Sequence, residues 1–265
     1  MDINELVAAY KRLRIEQVID YTKFNLIAID HHSTRIEGST LTEVEAQVLI
    51  NEGLTPKGKP LEESLMLTDH HAALLFTIEQ AKGKKILTVP VLQKINSLVM
   101  KSTGKVYNTM LGTVDSTTGA FRKGNVTAGS SYFPNFDKVE RLTLELVNQL
   151  NERMSKPLSL DEQLNLSFDA HFNLVSIHPF YDGNGRTSRL LMNYLQTYYD
   201  LPLAIVHSEN KVGYIQALID TRENADIQRF RNFMVEEYAA LLKKEIERFK
   251  AMDKPSKGTG FNLLF

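Results

Sequence analysis

The stretch His178-Pro179-Phe180-Tyr181-Asp182-Gly183-Asn184-Gly185-Arg186-Thr187-Ser188-Arg189 decides how this chain is read. It places a titratable base, a hard-metal ligand, a glycine-rich turn and two guanidinium groups in one short run. A phosphoryl- or nucleotidyl-transfer site needs those parts. Asp182 offers carboxylate oxygen to a divalent cation that keeps waters or phosphate oxygens in its shell. Gly183 and Gly185 permit backbone conformations that turn successive N–H groups toward an anion. Leu190, Leu191, Tyr194, Leu195 and Tyr198 recur at helical spacing, so a helix follows, with Asn184 or Gly185 expected to cap it. Arg186 and Arg189 share one face of that helix. Arginines in a first turn oppose the helix dipole, and a polyphosphate lying over that end resolves the conflict.

Working outward, the apolar periodicity is helical almost throughout. It predicts helices near 3–32, 41–51, 61–82, 89–101, 135–154, 160–177, 186–199, 208–223 and 227–250. Pro56-Lys57-Gly58-Lys59-Pro60 reads as a loop, and no internal repeat is present. The exception is Asn108 to Asn135, rich in Gly, Thr, Ser and Val. There Val114 to Phe121 and Val126 to Ala128 flank Arg122-Lys123-Gly124-Asn125, which reads as a hairpin connection. The expected fold class is all-α with a small β-hairpin flap over about 114–129. The expected organisation is an amino-terminal helical region (1–90), a core (91–240), and a helix end with tail (241–265). In that tail Lys254 to Gly260 reads as a linker before apolar Phe261-Asn262-Leu263-Leu264-Phe265. The apolar end packs on the body, meets a partner or is the stub of a longer chain.

Composition sets further bounds. A chain of 265 residues, 43% of them hydrophobic, has material for one large domain or two small ones. It contains no cysteine, which excludes disulfides and thiolate metal sites. Met1-Asp2-Ile3-Asn4-Glu5 lacks the basic segment and apolar run of a signal peptide, and no apolar run approaches the roughly 18 residues that span a bilayer. A net charge of −1 gives no general attraction to nucleic acid. The expectation is a cytoplasmic protein with no membrane or nucleic-acid partner in the residues present, its oligomeric state left open. His31-His32 and His70-His71 are adjacent pairs whose side chains diverge on a helix, a poor chelate, and His171 and His178 are seven apart across the helix-to-loop change at Pro179; a hydrolytic metal site built from these histidines is the alternative chemistry.

The twelve-residue run resembles the signature of Fic-domain proteins, His-Pro-Phe-x-[Asp/Glu]-Gly-Asn-Gly-Arg-x-x-Arg, at every defined position. Phe168 to Ile177 resembles the helix entering that motif, and Gly119 to Gly129 its flap. Tyr214 to Leu218 and Phe230 to Phe233 resemble its closing helices, so the likeness runs from about Leu92 to about Tyr238. The resemblance implies transfer of AMP from ATP to a Ser, Thr or Tyr hydroxyl of a protein target, self-modification included. His178 would be the general base, and Asp182 would hold Mg²⁺ on the α- and β-phosphates. Gly183, Asn184 and Gly185 would cradle phosphates, while Arg186 would neutralise the leaving pyrophosphate. Phe180 would anchor the loop. Relatives that move a terminal phosphate carry a lysine in this loop, and this chain does not. Val126, Thr127, Ala128 and Gly129 would form the flap edge that pairs with an extended target segment. The flap exit, Ser130-Ser131-Tyr132-Phe133-Pro134, holds one proline where the family's is richer.

A second run, Ser33-Thr34-Arg35-Ile36-Glu37-Gly38, resembles the inhibitory signature [Ser/Thr]-x-x-x-Glu-[Gly/Asn] of one Fic class. Phe24, Ile27, Ala28 and His31 predict a helix over about 24–37, which Gly38 would end. Ser33 and Glu37 then share a face, and Glu37 sits at the dipole's wrong end. The resemblance names Arg189 as its partner, kept by Glu37 from the γ-phosphate. Tyr214 and Ile215 fall where relatives pack adenine, Ile215 giving apolar contact in place of stacking, and Asn224 would reach the base edge. Tyr214 fits a core position equally well. Three alternatives stay open: another nucleoside monophosphate, removal of AMP from a modified target, and a non-catalytic nucleotide sensor.

Overall fold

The computed structural model describes residues 2–17, 19–129 and 131–252. Ser130 of the expected flap exit and the 254–265 tail lie outside them. The architecture is mainly helical, with two small antiparallel two-stranded sheets among the described residues. Helix α1 (Ile3–Arg12) starts on an Asp2–Glu5 capping box. The expected helix over 3–32 is broken: Arg14 takes a left-handed conformation (φ 52°), a short 3₁₀ turn follows at Ile15–Gln17, and α2 runs Ile19–Ile36. The break lets both segments bury their apolar faces, with Leu6, Tyr10 and Ile15 at 3% exposure or less. Thr42 and Glu45 box the start of α3 (Glu43–Glu52), and α4 (Leu61–Lys82) follows. Thr88 caps α5 (Val89–Val99).

Two hairpins come next. Strands β1 (Val106–Thr109) and β2 (Gly112–Asp115) pair with Tyr107 opposite Val114. Strands β3 (Thr127–Ala128) and β4 (Ser131–Tyr132) pair with Thr127 opposite Tyr132. This corrects the expected hairpin, in which 114–121 and 126–128 flanked 122–125. Residues Ser116–Thr118 instead form a 3₁₀ turn, and Gly119 (φ 72°) passes the Gln93 carbonyl with no room for a Cβ. Arg122, 2% exposed, then ties the segment to the signature loop in place of a β-ladder.

Helix α6 (Val139–Met154), preceded by a 3₁₀ turn at Phe136–Lys138, packs on α7 (Leu160–Ile177), which opens on a Ser159–Glu162 capping box. Helix α8 (Asn184–Tyr198) is buried nearly all round, as expected of a helix at the centre of a domain. Two of its interior amides are paired with the chain that follows: Gln196 Oε1 accepts from Ala204 N at 2.8 Å, and Asn193 Nδ2 donates to the Ala204 carbonyl at 3.1 Å. Helices α9 (Lys211–Asn224) and α10 (Ile227–Met252) complete the chain, α9 being entered by a 3₁₀ turn at Ser208–Asn210. One apolar core draws Leu6 and Tyr10 of α1, Leu74 of α4, Phe168 of α7, Leu190 of α8 and Leu242 of α10 together. The amino-terminal helices thus close against α8, which sets α2 beside the signature loop.

Candidate active site

The site is built where α7 ends. His178 caps α7 in a left-handed conformation (φ 53°, ψ 58°), strain of about 1 kcal/mol or more that turns its ring out of the helix. Its Nδ1 lies 3.2 Å from the Val175 carbonyl. A carbonyl only accepts, so Nδ1 carries the proton and Nε2 keeps a free lone pair. The ring stacks on Phe133 of the flap at 3.8 Å. Burial lowers its pKa to about 4; the Val175 bond opposes this, and the charges of Arg122 and Arg222 add to it. The imidazole is therefore a neutral acceptor at pH 7.

The loop beyond His178 is rigid for identifiable reasons. Asn184 clips it shut, Oδ1 accepting from Phe180 N at 2.9 Å and Nδ2 donating to the Phe180 carbonyl at 2.8 Å. The expected cap at Asn184 or Gly185 is corrected by this arrangement. Gly183 (φ 75°) is the cap, it offers no side chain, and Asn184 is spent on the loop. The first N–H groups of α8 thus lack a side-chain acceptor, the condition for anion binding. Asn96 of α5 braces the same turn, donating to the Asp182 carbonyl and to Thr187 Oγ1, each at 3.1 Å.

Asp182 is half-exposed, its Oδ1 accepting from Gly183 N at 2.5 Å and facing Arg186 Nη2 at 3.3 Å. Arg186 is 3% exposed, and its Nε and Nη1 are buried without a partner among the described residues. Each such donor costs about 1–3 kcal/mol, which an anion reaching the loop would recover. A Cβ on Gly185 would stand 2.7 Å from Glu37 Oε1, so the absent side chain leaves the cradle open and the Glu37 carboxylate lies over it. A single exposed carboxylate beside an open anion cradle fits Mg²⁺ carried in with phosphates.

Arg189 collects the other groups. Its Nη2 meets Glu37 Oε1 at 2.6 Å, its Nε donates to Ser33 Oγ at 2.9 Å, and Nη2 also donates to the Ser33 carbonyl at 3.0 Å. That carbonyl is free because α2 ends in a Schellman turn: Glu37 N turns to Thr34 O, Gly38 N to Arg35 O and Ser39 N to Thr34 O, with Gly38 at φ 110°. Burial pushes the Glu37 carboxyl up, but the charges of Arg189 and Arg186 outweigh it and hold it below the usual range. Burial likewise opposes charge on Arg189, and Glu37 more than offsets it.

A cavity of about 610 Å³ joins these parts. His178, Gly185, Arg189 and Glu37 line it, as do Lys211, Arg222 and the flap residues Ala128 and Gly129. Three cations against one carboxylate make it attractive to a polyphosphate. Tyr214 and Ile215 also line it, Tyr214 at 1% exposure and Ile215 at 40%. Asn224 does not; it is exposed at the end of α9, its amide donating to the Asp220 carbonyl at 2.8 Å. Val126 and Thr127 lie beside the cavity on the flap, not among its lining residues.

Sequence reasoning passed over Arg122. It donates to the carbonyls of His178 (2.7 Å), Gly124 (2.9 Å) and Pro134 (2.5 Å), and so fastens the flap to the base. Arg222 fastens the other edge, through Ser131 Oγ at 3.2 Å and the Phe133 ring at 5.7 Å. As for the histidine pairs, His70 and His71 both turn Nδ1 to Asp30 at 2.6 Å, and among the described residues no cluster of three or more His, Asp or Glu is placed to hold a metal.

The profile of the Fic/DOC family matches residues 86–196, which carry the signature loop and the helices on either side of it. The chain is 29% identical over 235 residues to the protein adenylyltransferase Fic of Drosophila grimshawi, a match covering 88% of this chain and 44% of that protein. A Fic domain containing signaling protein from Bacteroides thetaiotaomicron superposes with a TM-score of 0.81 at 22% identity, over 95% of this chain and 98% of its own. A Fic-1 fragment from C. elegans superposes with a TM-score of 0.70 at 20% identity, over 95% of this chain and 72% of its own. The chain therefore belongs to the Fic/DOC family and has the Fic fold. It spans less than half the length of the Drosophila relative. No helix among the described residues is long and apolar enough to cross a membrane.

Proposed function

We propose that this chain is an autoinhibited protein adenylyltransferase. One observation carries the proposal: a histidine held as a neutral acceptor lines the same cavity as Gly185 at the open end of α8 and the cations Arg189, Arg222 and Lys211. The naming of the Drosophila relatives as protein adenylyltransferases supports the same chemistry. His178 Nε2 takes the proton of a target hydroxyl as its oxygen attacks the α-phosphorus of ATP. The bond from that phosphorus to the β-phosphate oxygen breaks, AMP stays on the target, and pyrophosphate leaves. Asp182 would hold Mg²⁺, which supplies charge neutralisation on the phosphates when bound. The first N–H groups of α8 and Arg186 receive the charge that grows on the leaving group. The β3–β4 edge pairs with an extended segment of the target protein, and the exposed Thr127 and Ala128 present that edge.

Glu37 closes the site. Its carboxylate takes Arg189 and covers Gly185, the places a phosphate needs. Because Glu37 and His178 line one cavity, removal of AMP by a water held between them is a second reading. The test is His178→Ala in a Glu37→Gly background, with α-labelled ATP and a cell lysate. Transfer should fall by a factor of about 10²–10⁴ while ATP binding persists. Undiminished transfer refutes the assignment of the base, and loss of label from a pre-modified target in wild type favours the second reading.

A further inference from the structure

His171 takes no part in that mechanism, yet it stands behind the arginine on which the regulation turns. Arg189 Nη1 donates to the Tyr214 hydroxyl at 3.4 Å, and that hydroxyl lies 2.9 Å from His171 Nε2. The three residues belong to α8, α9 and α7, and their exposures are 4%, 1% and 0%. The polarity of this chain of bonds follows from its cation. A guanidinium only donates, so the phenol oxygen accepts from Nη1. The phenol proton then goes to Nε2, which requires a neutral imidazole protonated at Nδ1. Burial, joined by the charge of Arg189, holds the His171 pKa at about 3, so the ring is neutral. Its Nδ1 is buried without a partner among the described residues, and the ring packs on Phe230 at 5.1 Å. A leucine would fill this space without an orphaned nitrogen; what histidine adds is the acceptor.

The geometry points to His171 as a positioning residue that, through Tyr214, fixes the Arg189 guanidinium to receive a nucleotide phosphate once Glu37 lets go. The inference rests on the adenylyltransferase reading of the cavity. With Glu37 engaged, Arg189 has an ion pair to orient it; without Glu37, Ser33 and Tyr214 are the contacts that remain. His171 touches neither the cavity nor the reacting atoms.

The experiment uses Glu37→Gly protein as parent and measures binding of a non-hydrolysable ATP analogue, together with KM and kcat. Tyr214→Phe should weaken binding about ten-fold, the size expected for one hydrogen bond to a charged group, raising KM and leaving kcat within about two-fold. His171→Leu should do the same, and the double variant should be no worse than either, because His171 acts only through the hydroxyl. His171→Gln, whose amide oxygen can take the phenol proton, should bind within about three-fold of the parent. A packing role alone would lower the melting temperature with binding unmoved, and the two losses would add; either result overturns the inference. Should His171→Leu fail to fold, Tyr214→Phe decides, and parent-like binding by it overturns the inference. The free protein supplies a second readout, rotation of Arg189 about Nε–Cζ by ¹⁵N NMR: slow in the parent, fast in Tyr214→Phe. A parent that binds no ATP sinks the adenylyltransferase reading, and the rotation measurement still decides the positioning: equal rates in parent and variant overturn it.

Discussion

Replacing Arg122 with methionine tests whether the flap and the base share one anchor. Methionine keeps most of the buried volume and removes all three donors to the His178, Gly124 and Pro134 carbonyls. Hydrogen bonds to a charged group contribute about 1.5–3 kcal/mol each, roughly 5–9 kcal/mol for three. Against this, the guanidinium is 2% exposed and meets no carboxylate among the described residues, so its desolvation costs several kcal/mol that methionine avoids. The net loss of stability is about 2–4 kcal/mol, because three carbonyls stay behind unpaired. The same change frees the backbone that aims His178, and a misplacement of about 1 Å at a reacting group costs about 10²-fold in rate. Urea unfolding reads the first quantity, and label transfer in the Glu37→Gly background reads the second. A variant within about 0.5 kcal/mol of its parent and equal to it in rate would refute the shared anchor.

Asp182→Ala should abolish transfer and with it the dependence on added Mg²⁺; unchanged Mg²⁺ titration curves would place the metal elsewhere. Stability should fall as the medium is acidified. His171 is depressed from 6.5 to about 3 by burial and the Arg189 charge, so its contribution is full above the unfolded value and is lost as pH falls toward the folded one. Between those values unfolding takes up one proton, a slope of about 1.4 kcal/mol per pH unit. His178 and His32, each lowered to about 4 chiefly by burial, act in the same direction. Urea midpoints from pH 7 to pH 5 check this, and a flat profile there would contradict the buried neutral state.

Much of the fold was legible because its signals are local. The apolar period over 160–177 marks α7, and the Leu190–Tyr194–Leu195 stripe marks α8, whose burial then follows. The partnership of Glu37 with Arg189 was readable from two charges at unfavourable helix ends and from a resemblance, and the structure brings the pair to 2.6 Å. What escaped depends on distance along the chain. The break at Arg14 carries no glycine or proline and is set by packing against α10 and α4. The β1–β2 hairpin was overlooked, and two-residue strands such as β3 and β4 leave almost no alternation to read. Asn96 and Arg122 serve the site through main-chain carbonyls far along the sequence, which no spacing rule announces. Asn224 was placed by analogy at the base edge, and the turn of α9 takes it out of the cavity.

The central claim is that Glu37, by holding Arg189 and covering Gly185, keeps a competent adenylyltransferase closed. The most direct measurement is transfer of label from α-labelled ATP to protein hydroxyls by wild type and by Glu37→Gly at equal concentration. Removing Glu37 from this half-buried pair leaves the buried Arg189 free for a new anion. The account predicts at least about ten-fold more label with Glu37→Gly, and loss of that gain when Arg189→Ala is added. Equal labelling by wild type and Glu37→Gly would contradict it.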